Sequence, residues 1–367
     1  MSFVVRKANQ MSLHHTSYVL RLSSFVLSPG SWLLVPGSQN FPSPTKTLLI
    51  LLLHIIEPEF MNILITGGAG YIGTELVFEL SQRPDIDNIV VYDNLSRGNY
   101  NLFLGKGPRQ SNVKFIHGDI LDSRSIRKAL KGIDVVYHLA AKVTTPFANI
   151  DSHFFEQINH WGTAELVYAI EESDIEKFIF TSSASIYGSS NIPATEDTPP
   201  NPSSFYGVSK QRAEEHVKRI FESVPTLILR CGNVYGYSKS MRFDAVINRF
   251  MFDANFGHRV TITGSGTQSR SFIHINKVTK MLAGLLHAEV PSDIYNLSDK
   301  NLEVVDIIDV LKRIYPDLEY LFINQHITMQ ELKVDPNSRL YNYLQLPASE
   351  LEAELLDFKE RFSFQST

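Results

Sequence analysis

The chain has 367 residues, of which 43% are apolar and 20% charged, with a formal net charge of −5. That supports a sizeable buried core. With 20 glycines, 17 prolines and one cysteine, it excludes collagenous, wholly disordered and disulfide-stapled classes. The negative balance and the lack of a long basic run argue against nucleic acid or a membrane surface as partner. The single Cys231 can form no intramolecular disulfide, which fits a reducing, cytoplasmic setting.

Residues 1–60 differ from the rest. No Asp or Glu precedes Glu57, and the stretch ends in an apolar run from Leu48 to Ile56, followed by Glu57-Pro58-Glu59. A membrane-spanning helix needs about twenty such residues, so no integral membrane segment is expected. The run also starts late for a secretory signal. The expectation is a disordered, targeting or non-native extension, with Met61 as a natural beginning.

From Asn62 to Thr66 the pattern is a short apolar strand. It runs into Gly67-Gly68-Ala69-Gly70-Tyr71-Ile72-Gly73, and a helical pattern covers 71–80. In such a loop Gly67 permits the sharp turn, Gly70 the close approach of a pyrophosphate, and Gly73 tight helix–strand packing. The helix start, with Tyr71 and Ile72, offers backbone N–H groups to phosphates. A second strand at 89–92 ends in Asp93, twenty residues after Gly73, with Asn94 next to it. A carboxylate there accepts from ribose hydroxyls and disfavours a 2′-phosphate, which points to NAD, while nearby Arg97 keeps NADP open.

The alternation continues with a strand at 113–116 leading to Asp119 and Ile120, where Asp119 can meet the adenine amino group. A helix at 125–130 follows, then a strand at 134–138 opening into Leu139-Ala140-Ala141, whose small residues let a cofactor lie close. A long helical pattern at 154–172 and a strand at 177–180 come next. The expected class is α/β, a Rossmann-type doubly wound parallel sheet.

The strand at 178–180 empties into Thr181-Ser182-Ser183-Ala184-Ser185-Ile186-Tyr187-Gly188, at the strand end where ligands bind in this architecture. Tyr206-Gly-Val-Ser-Lys210 then opens a helix, and the spacing of four puts phenol and ammonium on one face. A cation beside the phenol favours the phenolate, so Tyr206 can take a proton from a sugar hydroxyl while a hydride leaves the same carbon. Lys210 can also hold the nicotinamide ribose, and Ser183 can hydrogen-bond the substrate oxygen.

Together these pieces resemble the extended short-chain dehydrogenase/reductase superfamily, in its nucleotide-sugar epimerase/dehydratase branch, over about residues 61–347. The resemblance also rests on Gly118-Asp119-Ile120, His138-Leu-Ala-Ala141, Asn159-x-x-Gly-Thr163, Arg230-x-x-Asn233-Val-Tyr-Gly236 and Arg270-Ser-Phe-Ile-His274. It implies bound NAD held by an N-terminal part (61–235). A smaller mixed α/β part (mainly 236–350, with interleaved segments) takes a nucleoside-diphosphate sugar, and residues 351–367 form a tail. It further implies a structural Asn159, Asn233 near the substrate phosphates, Arg270 on the diphosphate, and a homodimer through a four-helix bundle that includes 154–172 and the Tyr206 helix.

Three reactions share this machinery: 4-epimerisation through a transient 4-keto sugar, 4,6-dehydration, and decarboxylation. The dehydratase pattern places Asp-Glu after the active-site hydroxyl, and the decarboxylase pattern keeps the Glu. Here Ala184-Ser185 stand there, similar to the 4-epimerases, so an NAD-dependent epimerase leads. A 2-epimerase, an oxidoreductase or a dehydratase/decarboxylase of the branch is the alternative. A non-catalytic NAD-binding scaffold is disfavoured because Tyr206 and Lys210 are both present. Ser271 replaces the Asp that usually follows this Arg, and Arg339 is a weaker candidate contact. Cys231 reads as a core thiol, His274 as a core or domain-interface residue, and the twelve histidines show no metal-ligand spacing.

Overall fold

The computed structural model describes residues 60–104, 112–143, 152–324 and 331–362; the expected extension, up to residue 59, lies outside the described residues. Seven strands form one parallel sheet: β1 (Met61–Thr66), β2 (Ile86–Asp93), β3 (Val113–His117), β4 (Val135–His138), β5 (Lys177–Ser183), β7 (Thr226–Cys231) and β11 (Asp293–Leu297). Their order across the sheet is β3-β2-β1-β4-β5-β7-β11. Such strands are apolar on both sides because helices cover both faces. In β1, Ile63 and Ile65 face one helical layer and Leu64 faces the other. The first layer holds α1 (Tyr71–Ser81) and α7 (Ile275–Gly284). The second holds α2 (Ser123–Ala129), α4 (Gly162–Glu171) and α5 (Phe205–Lys218). This is a Rossmann-type α/β fold.

The order reverses between β1 and β4, where the Leu139 N–H reaches the Thr66 carbonyl at 3.0 Å. A crevice opens above such a reversal, at the carboxyl ends of the strands.

The helical pattern expected over 154–172 is not uniform. It runs as α3 (Ser152–Phe155), a π-helical stretch (Glu156–Trp161) and then α4. Widened turns of this kind recur at functional sites.

A smaller sheet uses β6 (Ser190–Ala194), β8 (Asn233–Tyr235), β10 (Ser269–His274), β12 (Lys300–Glu303) and β14 (Leu332–Val334), in the order β12-β10-β14-β6 with β8 beside β10. Since β6 and β8 precede residue 236 and β11 follows it, no single cut separates the two sheets. The strands β9 (Arg259–Thr263) and β13 (Glu319–Ile323) form a separate parallel pair. Helices α6 (Val246–Gly257), α8 (Val304–Ile314) and α9 (Leu351–Glu360) share a third core through Met251, Ile307 and Phe358. The stretch expected as a tail thus begins with a packed helix. Leu351, Leu355 and Phe358 recur at helical spacing and are buried. Glu354 meets Lys277 at 3.1 Å and Lys300 at 3.2 Å, which ties α9 to the lobe.

Candidate active site

A cavity of about 850 Å³ lies over the carboxyl ends of β1, β2, β4, β5 and β7. At one end the glycine loop leaves β1. Gly67 sits at φ +71°, and a Cβ there would come within 2.5 Å of the Ala140 backbone nitrogen. At Gly73 a Cβ would meet the Gly67 carbonyl at 2.3 Å. Only hydrogen fits at either position, so the loop lies flat between β1, β4 and α1 and leaves an open cradle. Gly70, Tyr71, Ile72, Leu139, Ala140 and Ala141 also line it.

Asp93 ends β2 on the floor of this region. Its carboxylate accepts from the Ala69 N–H at 3.0 Å and the Leu95 N–H at 2.8 Å, which fixes its orientation. Asn94 lines the cavity, and its amide donates to Asp119 at 3.0 Å. Asp119 itself is not a lining residue; Gly118 and Ile120 beside it are. The Tyr71 hydroxyl turns away, donating to the Gly236 carbonyl at 2.6 Å and accepting from the Asn248 amide at 3.1 Å. Burial pushes this phenol far above its ordinary range.

At the other end Ser183, Tyr206, Lys210 and Cys231 come together. The side chains of β5 alternate, so Ser182 points under the sheet to Glu214 at 2.6 Å, while Ser183 faces the cavity. The Ser183 oxygen accepts from the Ser185 N–H at 3.2 Å and the Ser185 hydroxyl at 2.9 Å, and it hydrogen-bonds Tyr206. The Ser204 side chain caps α5 by accepting from the Gly207 N–H at 3.1 Å, which aims the Tyr206 turn into the cavity.

Lys210, one turn on, is buried; its ammonium donates to the Thr181 carbonyl at 2.8 Å and lies 4.7 Å from the centre of the Phe180 ring. Burial pushes it down to about 8, partly offset by Cys231 and Glu214. Tyr206 is raised, because burial outweighs the Arg242 charge and the Ser183 hydrogen bond. The Lys210 ammonium rests against the Thr181 carbonyl, and the Arg242 charge acts to lower Tyr206. The groups of the chain alone leave Tyr206 protonated at neutral pH.

Towards the smaller sheet, Asn233 donates to the Ser271 carbonyl at 3.0 Å and lines the cavity. Arg270, on β10, is a half-buried lining residue. Among the described residues its guanidinium has no hydrogen bond or ion pair, and burial alone pushes it down. A desolvated, unpaired guanidinium at a cavity wall is a ready anion partner.

Arg339 does not reach the cavity; it pairs with Asp197 at 3.3 Å and Asp293 at 3.6 Å. Arg242, Lys142 and Glu331 line the cavity without having been anticipated. Each comes from a loop or strand edge with no motif of its own. Glu331 is ion-paired to Lys333 at 3.3 Å. Cys231 ends β7 and is buried as expected, yet it also borders the cavity, and burial pushes its thiol up to about 12. Among the described residues no three His, Cys, Asp or Glu side chains converge as a metal site, and no helix is long and apolar enough to cross a membrane.

Comparison with known proteins agrees with this geometry. The family model described as the NAD dependent epimerase/dehydratase family matches residues 63–298. A putative UDP-glucose 4-epimerase of Methanocaldococcus jannaschii is 32% identical over 258 residues, covering 68% of this chain and 81% of that protein. A human dTDP-D-glucose 4,6-dehydratase is also 32% identical, covering 64% of this chain and 68% of its own. Among solved structures, the UDP-glucuronic acid 4-epimerase of Bacillus cereus, in complex with UDP-glucuronic acid and NAD, superposes with a TM-score of 0.72 at 28% identity. That match covers 82% of this chain and 98% of the other.

Proposed function

The chain belongs to the NAD-dependent epimerase/dehydratase family, and from that membership we propose that it epimerises a nucleoside-diphosphate sugar at C4. The cradle left by Gly67 and Gly73, with Asp93 at its edge, fits a dinucleotide. When bound, NAD supplies a hydride acceptor that later returns the hydride, and its oxidised ring adds positive charge beside the phenol. Tyr206 takes the proton of the C4 hydroxyl and gives it back, while Ser183 hydrogen-bonds the same oxygen. Lys210 holds the nicotinamide ribose. Arg270 and Asn233 receive the diphosphate, which anchors the nucleotide while the sugar turns over in the remaining space.

The observation that carries epimerisation over dehydration is the wall beside Ser183. Ala184 is buried, and the Ser185 hydroxyl is occupied with Ser183 at 2.9 Å. Neither side chain can serve as an acid/base pair at C5 and C6, so water loss has no catalyst there. The test is incubation with NAD⁺ and a panel of nucleotide sugars, with products resolved by mass and NMR. An isomer of unchanged mass inverted at C4, abolished by Tyr206→Phe, is the expected result; loss of water or carbon dioxide overturns the reading.

The same reading includes a homodimer through the helical face of α4 and α5. Trp161, at the head of α4, and Phe205, at the head of α5, are each 51% exposed, and Tyr168 follows Trp161 at heptad spacing with partial exposure. A Trp161→Glu change is expected to yield monomers in light scattering; a monomeric wild type defeats this part.

A further inference from the structure

A line of buried polar side chains runs beneath the cavity from the glycine loop to the Tyr206 helix. It comprises Thr66, the residue before Gly67, then His138 at the end of β4, Thr163 and Asn159 on the neighbouring helix, and Ser209 on α5. None is more than 1% exposed. The Thr66 hydroxyl lies 2.7 Å from His138 Nδ1, and Thr163 Oγ1 lies 2.9 Å from His138 Nε2.

The proton directions follow from the far end. The Thr163 hydroxyl has one proton and donates it to the Asn159 carbonyl at 2.6 Å. Its oxygen must therefore accept from His138, so Nε2 carries the hydrogen. Nδ1 is then the acceptor, and Thr66 donates to it. The ring stacks at 5.4 Å on Phe180, and burial together with the nearby Lys210 charge pushes it down to about 3, so it stays neutral.

Asn159 spreads the constraint. Its Oδ1 accepts from the Lys142 N–H at 2.8 Å, and its Nδ2 donates to the Lys142 carbonyl at 2.9 Å and to Ser209 Oγ at 3.0 Å. Ser209 in turn donates to the Tyr206 carbonyl at 2.8 Å. Lys142 belongs to the segment after β4 that walls the cavity. Asn159 also lies inside the π-helical stretch, and the Thr163 hydroxyl pins its carbonyl within that widened turn.

We infer that Thr66, His138 and Thr163 are positioning residues, a directional hydrogen-bond relay that locks the cofactor wall and the Tyr206 helix into one geometry. The relay touches neither cofactor nor substrate; it acts through Gly67, Lys142 and Tyr206. Its catalytic consequence rests on the proposed roles of Tyr206 and Lys210. Buried polar chains polarise one another when fully satisfied, and a break leaves unpaired groups in a dry interior, so the geometry relaxes at both ends.

The test is Thr163→Val, which keeps the shape and removes the hydroxyl, beside Thr163→Ser, which restores it. NADH binding is followed by fluorescence titration, and kcat and KM are measured on whichever nucleotide sugar the wild type turns over. Thr163→Val is expected to weaken NADH binding severalfold and to lower kcat at least about tenfold with little change in KM, as misplacement of reacting groups does. Thr163→Ser recovers most of the loss. Histidine nitrogen NMR is expected to show His138 neutral, with its proton on Nε2, from about pH 5 to 8. Wild-type NADH affinity and kcat in Thr163→Val, or a His138 proton on Nδ1, overturns the relay. If Thr163→Val does not fold, Thr66→Val reads the same coupling from the other end and the tautomer decides the direction. A wild type that turns over no sugar defeats the proposed function alone, since NADH binding and the tautomer still test the relay.

Discussion

Glu214 lies one helical turn beyond Lys210 and grips Arg230 at 2.7 Å and 3.0 Å, with neither side chain more than 2% exposed. It also receives the Ser182 hydroxyl at 2.6 Å. One carboxylate thus ties α5, which carries Tyr206 and Lys210, to the two strands beneath it. Arg230 also lies 4.8 Å from the centre of the Tyr187 ring.

Removing one half of such a pair leaves a buried charge without a partner. Glu214→Ala is expected to destabilise the protein by about 3–5 kcal/mol in urea unfolding. Changing Glu214 and Arg230 together to apolar residues of similar volume is expected to cost much less. Equal losses in the single and double variants would show that packing, not the unpaired guanidinium, sets the cost.

Among the described residues Arg270 has no hydrogen-bond or ion-pair partner to lose. Arg270→Ala is expected to leave the thermal midpoint nearly unchanged and to raise KM for the nucleotide sugar by about tenfold or more, the scale of a charge-assisted phosphate contact. Arg270→Lys should recover only part, because an ammonium cannot present the guanidinium fork. An unchanged KM in Arg270→Ala removes this residue from the substrate site.

Burial holds Lys210 down to about 8 in the folded chain. The ammonium is therefore charged below that value and neutral above it. Turnover that depends on the charge is expected to fall as pH rises through about 8. Lys210→Met should show low activity without that limb. An alkaline limb of the same position in Lys210→Met assigns it to another group.

His138 behaves in the opposite direction through stability. Its folded value is pushed down to about 3 from an ordinary value near 6.5. Above the unfolded value the neutral ring costs nothing. As pH falls below it, the unfolded chain takes up a proton that the folded chain refuses, and stability drops by up to about 1.4 kcal/mol per pH unit until the folded value is reached. His138→Gln is less stable at neutral pH but is expected to show a shallower decline between pH 6 and 4. A decline as steep as the wild type's places the acid sensitivity elsewhere.

Gly67 combines a φ of +71° with a Cβ path blocked by the Ala140 backbone. Gly67→Ala must shift β1 against the segment after β4, so loss of NADH binding is expected even if the protein folds. Retained affinity in calorimetry shows that the loop can move aside.

The parts of this protein legible in its sequence are those decided within a few residues. The glycine loop, Asp93 at a strand end, and Tyr206 four residues before Lys210 on a helix follow from short-range geometry. The apolar runs of β1, β4 and β5 likewise announced a sheet covered on both faces. What tertiary structure decided was where distant segments meet. Asp119 holds Asn94 instead of lining the cavity, and Arg339 is drawn to Asp197 and Asp293. Arg242 reaches the cavity to act on Tyr206 from a loop without a motif. Thr66, His138 and Thr163 read singly as ordinary strand and helix residues. They become a relay only because β1, β4 and α4 pack side by side, where burial removes water and obliges each polar atom to find a protein partner.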